Sequence, residues 1–149
     1  MRTLGVDYGT KRIGLAMSDP SGTISSPLGL RHRVSASQDG EYFRELVRSH
    51  HIARVVVGLP MNMDGSEGEK AQEARRYGAW LAAELGLPVA YYDERLTTMQ
   101  AESRLKNAGT KRRTRKKRRD MLAAQIMLQA YLDTERGVDV ADYEEAVAD

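Results

Sequence analysis

Residues 4–16 have the sequence LGVDYGTKRIGLA. It begins as a short apolar strand, reaches an acid at Asp7, turns at Gly9 and continues as a second strand. From residue 12 to residue 18, large apolar side chains alternate with small or polar ones, which is the period of a half-buried strand. The pattern therefore predicts two neighbouring antiparallel strands with a carboxylate where the first one ends.

The rest of the chain predicts alternating strands and helices. A third extended stretch, residues 23–33, contains Pro27 and fits a sheet edge, where the missing N–H removes no ladder hydrogen bond. The continuous apolar run at residues 54–60 is typical of a strand covered on both faces. A last strand is predicted at residues 89–92, and helices are predicted at residues 39–51 (with Asp39 as N-cap), 69–85, 97 or 98 to 106, and about 119–133.

This order of elements indicates an α/β fold. Three successive strands form an antiparallel meander, and two further strands joined by helices lie parallel. The prediction is a central five-stranded mixed sheet with helices on both faces. Ligand sites in such sheets gather at the carboxyl ends of the strands, where Asp7, residues 58–60 and residues 93–95 all lie.

A second acid, Asp120, opens the last predicted helix. The residues that share its helical face are apolar: Ala123, Ala124, Met127 and Tyr131. A carboxylate on the core-facing side of a helix costs several kcal/mol unless it is paired or bound to a metal. We therefore expect Asp7 and Asp120 to meet over one ion.

Asp7, Glu94 and Asp120 are the candidate catalytic residues and the candidate ligands of one or two Mg²⁺ or Mn²⁺ ions. Hard cations bind carboxylate oxygens, and two ions roughly 4 Å apart can activate a water and stabilise the leaving oxygen of a phosphodiester. Structural explanations stay open: Glu94 pairs with Arg95 or caps a helix, and Asp120 is a solvated N-cap. For Asp93 the sequence favours a structural role, as the N-cap of the next helix, over a role in supporting the metal ligands.

Basic and polar residues near these acids are candidates for contact with nucleic-acid phosphates. Eight of the nine residues from 111 to 119 are Lys or Arg, and their position beside Asp120 favours a backbone clamp over a solvated helix face. A solvated turn or loop explains Lys11, Arg12 and Asn62 about equally well. The candidates are Lys11, Arg12, Asn62, Arg95, Lys111, Arg112, Arg113, Arg115, Lys116, Lys117, Arg118 and Arg119.

Three aromatic residues are predicted to pack in the core. Tyr77 and Trp80 match the spacing of one helix face, together with Leu81. Tyr8 follows Asp7 directly, and stacking on a nucleobase is its alternative role.

Composition narrows the class of protein. The 149 residues suffice for one domain with a real core, and we expect a nuclease domain at residues 1–133 and a mobile acidic tail at residues 134–149. Cysteine is absent, which excludes disulfides and thiolate metal sites. No signal-peptide pattern or apolar run of membrane-spanning length is visible, so we expect a cytoplasmic protein that does not bind membranes.

Four segments resemble the YqgF family. Its members are described as pre-16S rRNA nucleases or as proteins similar to Holliday junction resolvases. They are VDYGTKRIG at residues 6–14, VGLPMNMDGS at residues 57–66, DERLTT at residues 93–98 and DMLAA at residues 120–124. The resemblance runs from about residue 3 to residue 133, and the order of the four blocks is more specific than any block alone.

The resemblance implies an RNase H-like fold and a bacterial cytoplasmic endonuclease. It also implies that Asp7, Glu94 and Asp120 bind the metal. Two features depart from the related pattern. Junction resolvases of this fold carry a fourth acid near the last one, where this chain has Ala123, and the acidic tail is an extension.

Several functions fit the sequence. The leading one is a divalent-metal-dependent endonuclease that processes the 5′ end of pre-16S rRNA in ribosome biogenesis. The alternative is a resolvase of four-way DNA junctions in recombination and repair, which requires a homodimer, whereas an rRNA nuclease can act as a monomer. A non-catalytic nucleic-acid binder is less favoured. A sugar-kinase-like phosphotransferase is least favoured, because such proteins close two domains around the nucleotide.

Overall fold

The computed structural model describes residues 1–95 and 112–137, and between residues 112 and 120 it describes the backbone only. The strands are β1 (Arg2–Asp7), β2 (Arg12–Ser18), β3 (Ser25–His32), β4 (Ile52–Leu59) and β5 (Val89–Asp93). The helices are α1 (Ala36–His50), α2 (Glu69–Leu85) and α3 (Arg112–Glu135). The helix predicted near residues 97–106 and most of the predicted acidic tail lie outside the described residues.

The strands form one five-stranded sheet in the order β3-β2-β1-β4-β5. β1, β2 and β3 pair antiparallel, whereas β4 and β5 continue parallel from β1. This confirms the predicted meander with two added parallel strands. β3 is an edge strand, as the proline at residue 27 indicated, and the ladder between β2 and β3 shifts register between Leu15 and Ala16.

One face of the sheet packs on α1 and α2. The strand residues that point to this face include Leu4, Val6, Val55 and Val57, all fully buried. The helices contribute large side chains that pack against them: Phe43 from α1, and Tyr77 and Leu81 from α2. Fully burying a side chain of this size contributes about 1.5–3 kcal/mol, so this side holds the larger part of the described core.

The other face packs on α3. Ala16 and Val56 from the sheet meet Ala124, Met127, Leu128 and Leu132 from the helix, which confirms an apolar stripe along this helix. Gly5 allows the close approach, because a Cβ there would lie 2.9 Å from the Leu128 Cβ. Helices on both faces are thus confirmed. No helix in residues 1–95 and 112–137 is both long and apolar enough to cross a membrane.

The last helix begins earlier than predicted. It starts at Arg112 rather than near residue 119, so residues 112–119 of the basic run belong to the helix instead of leading into it. The prediction was wrong because it followed apolar periodicity, whereas Arg and Lys are themselves good helix formers. The predicted domain boundary at residue 133 stays a prediction.

The start of α1 also differs from the prediction. Ser35 is the N-cap, and its hydroxyl accepts a hydrogen bond from the Gln38 N–H. Asp39 lies inside the first turn and is 4% exposed. Its Oδ1 accepts from Nε and Nη2 of Arg31 at 3.2 and 3.1 Å, and the Val34 N–H also donates to this carboxylate. The role predicted for Asp39 was wrong, because a long-range ion pair outweighs its local capping preference.

We expect the Asp39→Ala variant to lose more stability than a helix cap is worth. It would leave the Arg31 guanidinium without its carboxylate partner, and breaking a largely buried pair costs about 3 kcal/mol. The Ser35→Ala variant removes the actual N-cap and should cost about 1 kcal/mol. Urea denaturation followed by circular dichroism measures both, and an equal loss in the two variants would contradict this assignment.

Candidate active site

The parallel strands bring two acids to one edge of the sheet. Asp7 is the last residue of β1, and Glu94 directly follows β5. β4 lies between these strands and pairs with both. The backbone N–H of Glu94 donates to the Leu59 carbonyl at 3.0 Å, so the parallel ladder extends as far as this acid.

Both acids belong to the strand positions that face α3. Side chains two residues apart along a strand point to the same face. Gly5 packs against Leu128 of α3, and Asp7 lies two residues later. Tyr92 packs on the hydrophobic cluster between the sheet and α3, and Glu94 lies two residues later. The two carboxyl groups therefore project toward the side of the sheet that α3 covers.

Gly58 makes room for the Glu94 carboxyl group. A Cβ at this position of β4 would lie 2.1 Å from Glu94 Oε1 and 2.4 Å from its carboxyl carbon, which no real side chain permits. Glu94 lies over the backbone of β4 and reaches Asp7 on β1, with which its carboxyl group shares a hydrogen bond. The sequence placed Gly58 at a strand end but did not predict this role.

The environment of Glu94 disfavours its negative charge. The residue is 7% exposed, and its burial raises the pKa of the carboxyl group well above the ordinary value. The neighbouring Asp7 charge and hydrogen bond raise this pKa further, and Asp93 adds a smaller effect. Two carboxyl groups in contact at low dielectric need a proton or a cation between them.

The donor set fits a hard divalent cation. Carboxylate oxygens are the protein ligands of Mg²⁺ and Mn²⁺, and a cation would offset the repulsion between Asp7 and Glu94. Among the side chains that the structure describes, no group of three acids or histidines forms a metal site. The third predicted ligand, Asp120, has its side chain outside that part.

Contacts at the end of the sheet opposite to the two acids show in which direction α3 runs. Gln129 accepts from the Ser25 N–H and donates to the Thr23 carbonyl, both at 2.9 Å. Glu135 pairs with Arg54 near the start of β4 at 2.9 Å. The helix therefore runs antiparallel to β1, and its N-terminal half, which includes Asp120, extends toward the strand ends that carry the two acids.

The predicted phosphate contacts fall into three groups. Lys11 is exposed and Arg12 is half-buried, and both lie in or beside the tight turn after β1. Gly9 is required in this turn, because a Cβ there would lie 2.3 Å from the Arg12 carbonyl oxygen. The basic run from Arg112 to Arg119 forms the first two turns of α3, with its side chains outside the described part, and Lys111 lies outside altogether.

Arg95 and Asn62 form the third group, and the side chains of both make hydrogen bonds within the protein. Arg95 Nε donates to Asp93 Oδ2 at 2.8 Å, and its Nη1 donates to the Met63 carbonyl at 3.3 Å. The Asn62 side chain donates to the Ser66 hydroxyl at 3.0 Å. Arg95 thus pairs with Asp93 and ties the loop after β4 to the end of β5, whereas the sequence left open a pair between Arg95 and Glu94.

Asp93 forms an ion pair with Arg95, whereas the helix that it was predicted to cap lies outside the described residues. Burial raises the pKa of its carboxyl group, but hydrogen bonds from the side chain and backbone of Arg95 outweigh this effect and hold the pKa below the ordinary value. Asp93 is therefore the charged partner in an ion pair that fixes the polypeptide on either side of Glu94.

Comparison with known proteins identifies the family. The family model "RuvX: Holliday junction resolvase" matches residues 1–134. The chain belongs to this RuvX/YqgF family. The resemblance found in the four sequence blocks is confirmed, and the family is one of nucleases.

Relatives with the name "Putative pre-16S rRNA nuclease" match most of the chain. The protein of Rhodopirellula baltica is 42% identical over 132 residues, which cover 89% of this chain and 76% of the relative. The protein of Moorella thermoacetica is 45% identical over 133 residues, covering 89% and 95%. That of Lactococcus lactis is 46% identical over 134 residues, covering 89% and 94%.

Solved structures confirm the RNase H-like fold. Thermus thermophilus RuvC in complex with a Holliday junction substrate superposes with a TM-score of 0.56 at 16% identity, covering 93% of this chain and 97% of RuvC. The Fowlpox virus resolvase in complex with Holliday junction DNA has a TM-score of 0.56 at 10% identity, covering 91% and 99%. At such low identity the similarity establishes the fold alone.

We expect the Gly58→Ala variant to fold but to lose most of its nuclease activity. The added methyl group would push the Glu94 carboxyl away from Asp7, and misplacing a reacting group by about 1 Å costs roughly 100-fold in rate. Gly29→Ala is the matched control, because a Cβ on β3 at that position meets nothing within 4 Å. Cleavage rates of both variants measure the effect, and equal rates would contradict the role of Gly58.

Proposed function

We propose that this chain is a divalent-metal-dependent endonuclease that hydrolyses phosphodiester bonds in structured nucleic acid. The observation that carries the proposal is the contact between the Asp7 and Glu94 carboxyl groups over Gly58. This contact is unfavourable in the folded chain by itself and favourable when a cation is bound. Membership in a nuclease family supports the same reading.

In this proposal Asp7, Glu94 and Asp120 hold one or two Mg²⁺ or Mn²⁺ ions. Such ions, when bound, activate a water and stabilise the charge on a leaving phosphodiester oxygen. The protein supplies rigid ligand positions, because two of the acids stand at the ends of paired strands and the Glu94 backbone is hydrogen-bonded to Leu59. A site on regular secondary structure holds its ligands more accurately than a site on loops.

The fourth acid of related resolvases has no counterpart in the described part of α3. Ala123 occupies its place and is 5% exposed against the core. The proposed site therefore offers three carboxylates. With fewer anionic ligands, we expect one of the two possible ions to bind weakly until the substrate phosphate supplies further oxygens.

The proposed nucleic-acid contacts come from three segments of the chain. They comprise Lys11 and Arg12 in the turn after β1, Asn62 and Arg95 at the loop after β4, and the basic run from Lys111 to Arg119. Contacts of this type bind phosphates and position the substrate, but they do not select a base sequence. Arg95 can contribute only in part, since its side chain already bonds Asp93 and the carbonyl of Met63.

We propose the 5′ end of pre-16S rRNA as the substrate, in ribosome biogenesis in the cytoplasm. Relatives that are 41–46% identical over 89–96% of this chain carry the pre-16S rRNA nuclease name, and this supports the choice. The second candidate is a four-way DNA junction. The family description favours it, and it would require a two-fold dimer for symmetric cleavage.

A side-by-side cleavage assay tests the substrate. We expect the purified protein with Mg²⁺ or Mn²⁺ to cut a precursor rRNA 5′ fragment, and EDTA to abolish cutting. Plain duplex DNA serves as the negative control. Paired symmetric nicks in a four-way junction, with the RNA left intact, would favour the resolvase instead. Metal-independent binding without any cleavage would overturn the enzyme proposal.

The metal site can be tested without measuring activity. We expect Mn²⁺ at about 100 times its Kd to stabilise the wild-type chain by about 2.7 kcal/mol, which raises Tm by roughly 5–10 °C. The Asp7→Asn variant should lose this rise, because one carboxylate ligand is gone, and should lose at least 100-fold in cleavage rate while it still binds nucleic acid.

Glu41→Gln is the control for this measurement, because Glu41 is an exposed acid on α1. Its Tm should respond to Mn²⁺ as the wild type does. A metal-dependent rise of equal size in Asp7→Asn would remove Asp7 from the metal site.

A further inference from the structure

A cavity of about 650 Å³ lies beside the turn that follows Asp7, on the side of the sheet covered by α1 and α2. Its walls include three aromatic rings and two arginines: Tyr8, Tyr77, Trp80, Arg33 and Arg76. Cavities that bind small organic groups measure about 300–1,000 Å³, so this one is large enough for a nucleobase with its sugar.

The three rings form a continuous aromatic wall. The Tyr8 and Tyr77 centroids are 5.2 Å apart, and the Tyr77 and Trp80 centroids are 5.3 Å apart. The Arg33 guanidinium lies over two of these rings, 5.4 Å from the Tyr8 centroid and 5.1 Å from that of Tyr77. Aromatic rings and guanidinium planes are the surfaces on which unpaired bases stack.

The polar groups of the cavity suit a nucleotide. Arg33 and Arg76 are exposed at the rim, where a phosphate can reach them. The acid Asp39 in the wall is already paired with Arg31. A second acid, Glu73, accepts from the Tyr8 hydroxyl at 3.5 Å and is also available to the amino groups of a base. The two arginines thus make the rim of the cavity positively charged, and the carboxylate of Glu73 provides a hydrogen-bond acceptor in its wall.

Arg33 also links the cavity to the candidate active site. Its Nη1 donates to the Tyr8 hydroxyl at 3.2 Å and to the carbonyls of Gly9 and Thr10 at 3.3 and 3.2 Å. These residues form the turn that begins directly after Asp7. Because consecutive strand residues point to opposite faces, Asp7 projects toward α3 while Tyr8 projects into the cavity.

We propose that this aromatic cavity binds one unstacked nucleobase of the strand that is held for cleavage at Asp7 and Glu94. The strand would cross the sheet edge at the turn, with its phosphate on the α3 side and the adjoining base on the α1/α2 side. This inference rests on the proposed nuclease function. In this proposal Tyr8 and Trp80 pack against the protein core and also provide a surface on which the base stacks. The sequence favoured packing in the core alone.

Trp80 makes the cavity directly observable, because it is the single tryptophan of the chain. The probe is a hairpin RNA with one unpaired adenosine in its stem. A first control hairpin carries an abasic sugar in place of that adenosine, and a second control hairpin is fully paired. All titrations are done in EDTA, so that binding is measured without cleavage. Intrinsic fluorescence and anisotropy of a labelled RNA give the two readouts.

We expect the unpaired adenosine to quench Trp80 emission and to improve binding about 10-fold over the abasic hairpin, in line with the contribution of one stacked base. The fully paired hairpin should bind as the abasic one does. The Arg76→Ala variant should weaken binding of the adenosine hairpin several-fold. Arg48→Ala is the matched control, because Arg48 is an exposed arginine on α1 that does not line this cavity.

Two outcomes separate this inference from the function on which it rests. Equal affinity for the adenosine and abasic hairpins, with unchanged Trp80 emission in a protein that still cleaves, would overturn the cavity assignment and leave the nuclease proposal standing. Absence of binding to every RNA, together with absence of cleavage, would overturn both. The comparison of the two hairpins uses the wild-type protein and does not depend on how any variant folds.

Discussion

The contact between the Asp7 and Glu94 carboxyl groups is the constraint around which the described structure is arranged. Two carboxylates in contact repel each other, and burial also disfavours the charge on Glu94. The fold holds them together because each stands at the end of a strand in a continuous parallel ladder. Gly58, on the strand between them, has no side chain to separate them.

The two faces of the sheet contribute differently to this arrangement. α1 and α2 bury the larger hydrophobic cluster, which includes Phe43 and Leu81, and this packing offsets the cost of the polar edge. α3 packs on the opposite face, with Leu128 directly against Gly5. A helix held this near the sheet brings its N-terminal half, with its basic residues, toward the carboxyl ends of the strands.

The turn after β1 joins the two faces. Asp7 and Tyr8 are neighbours in the chain, yet they belong to opposite sides of the sheet, and Arg33 ties the turn that follows Asp7 to the end of β3. An ion pair between Asp93 and Arg95 fixes the segment around Glu94. Charged neighbours therefore hold the backbone next to both acids through hydrogen bonds, and such supporting contacts help a site to keep its geometry.

Strand and helix periods are local properties of the chain, so the sequence alone predicted the five strands and the strand ends on which Asp7 and Glu94 lie. It also predicted the helices that pack on the sheet, apart from the start of α3. The tertiary structure adds three features: Glu94 reaches across Gly58, Asp39 pairs with Arg31 instead of capping α1, and aromatic residues expected in the core also line a cavity. Each of these depends on residues distant in sequence, whose approach is set by packing and by long-range ion pairs rather than by periodicity.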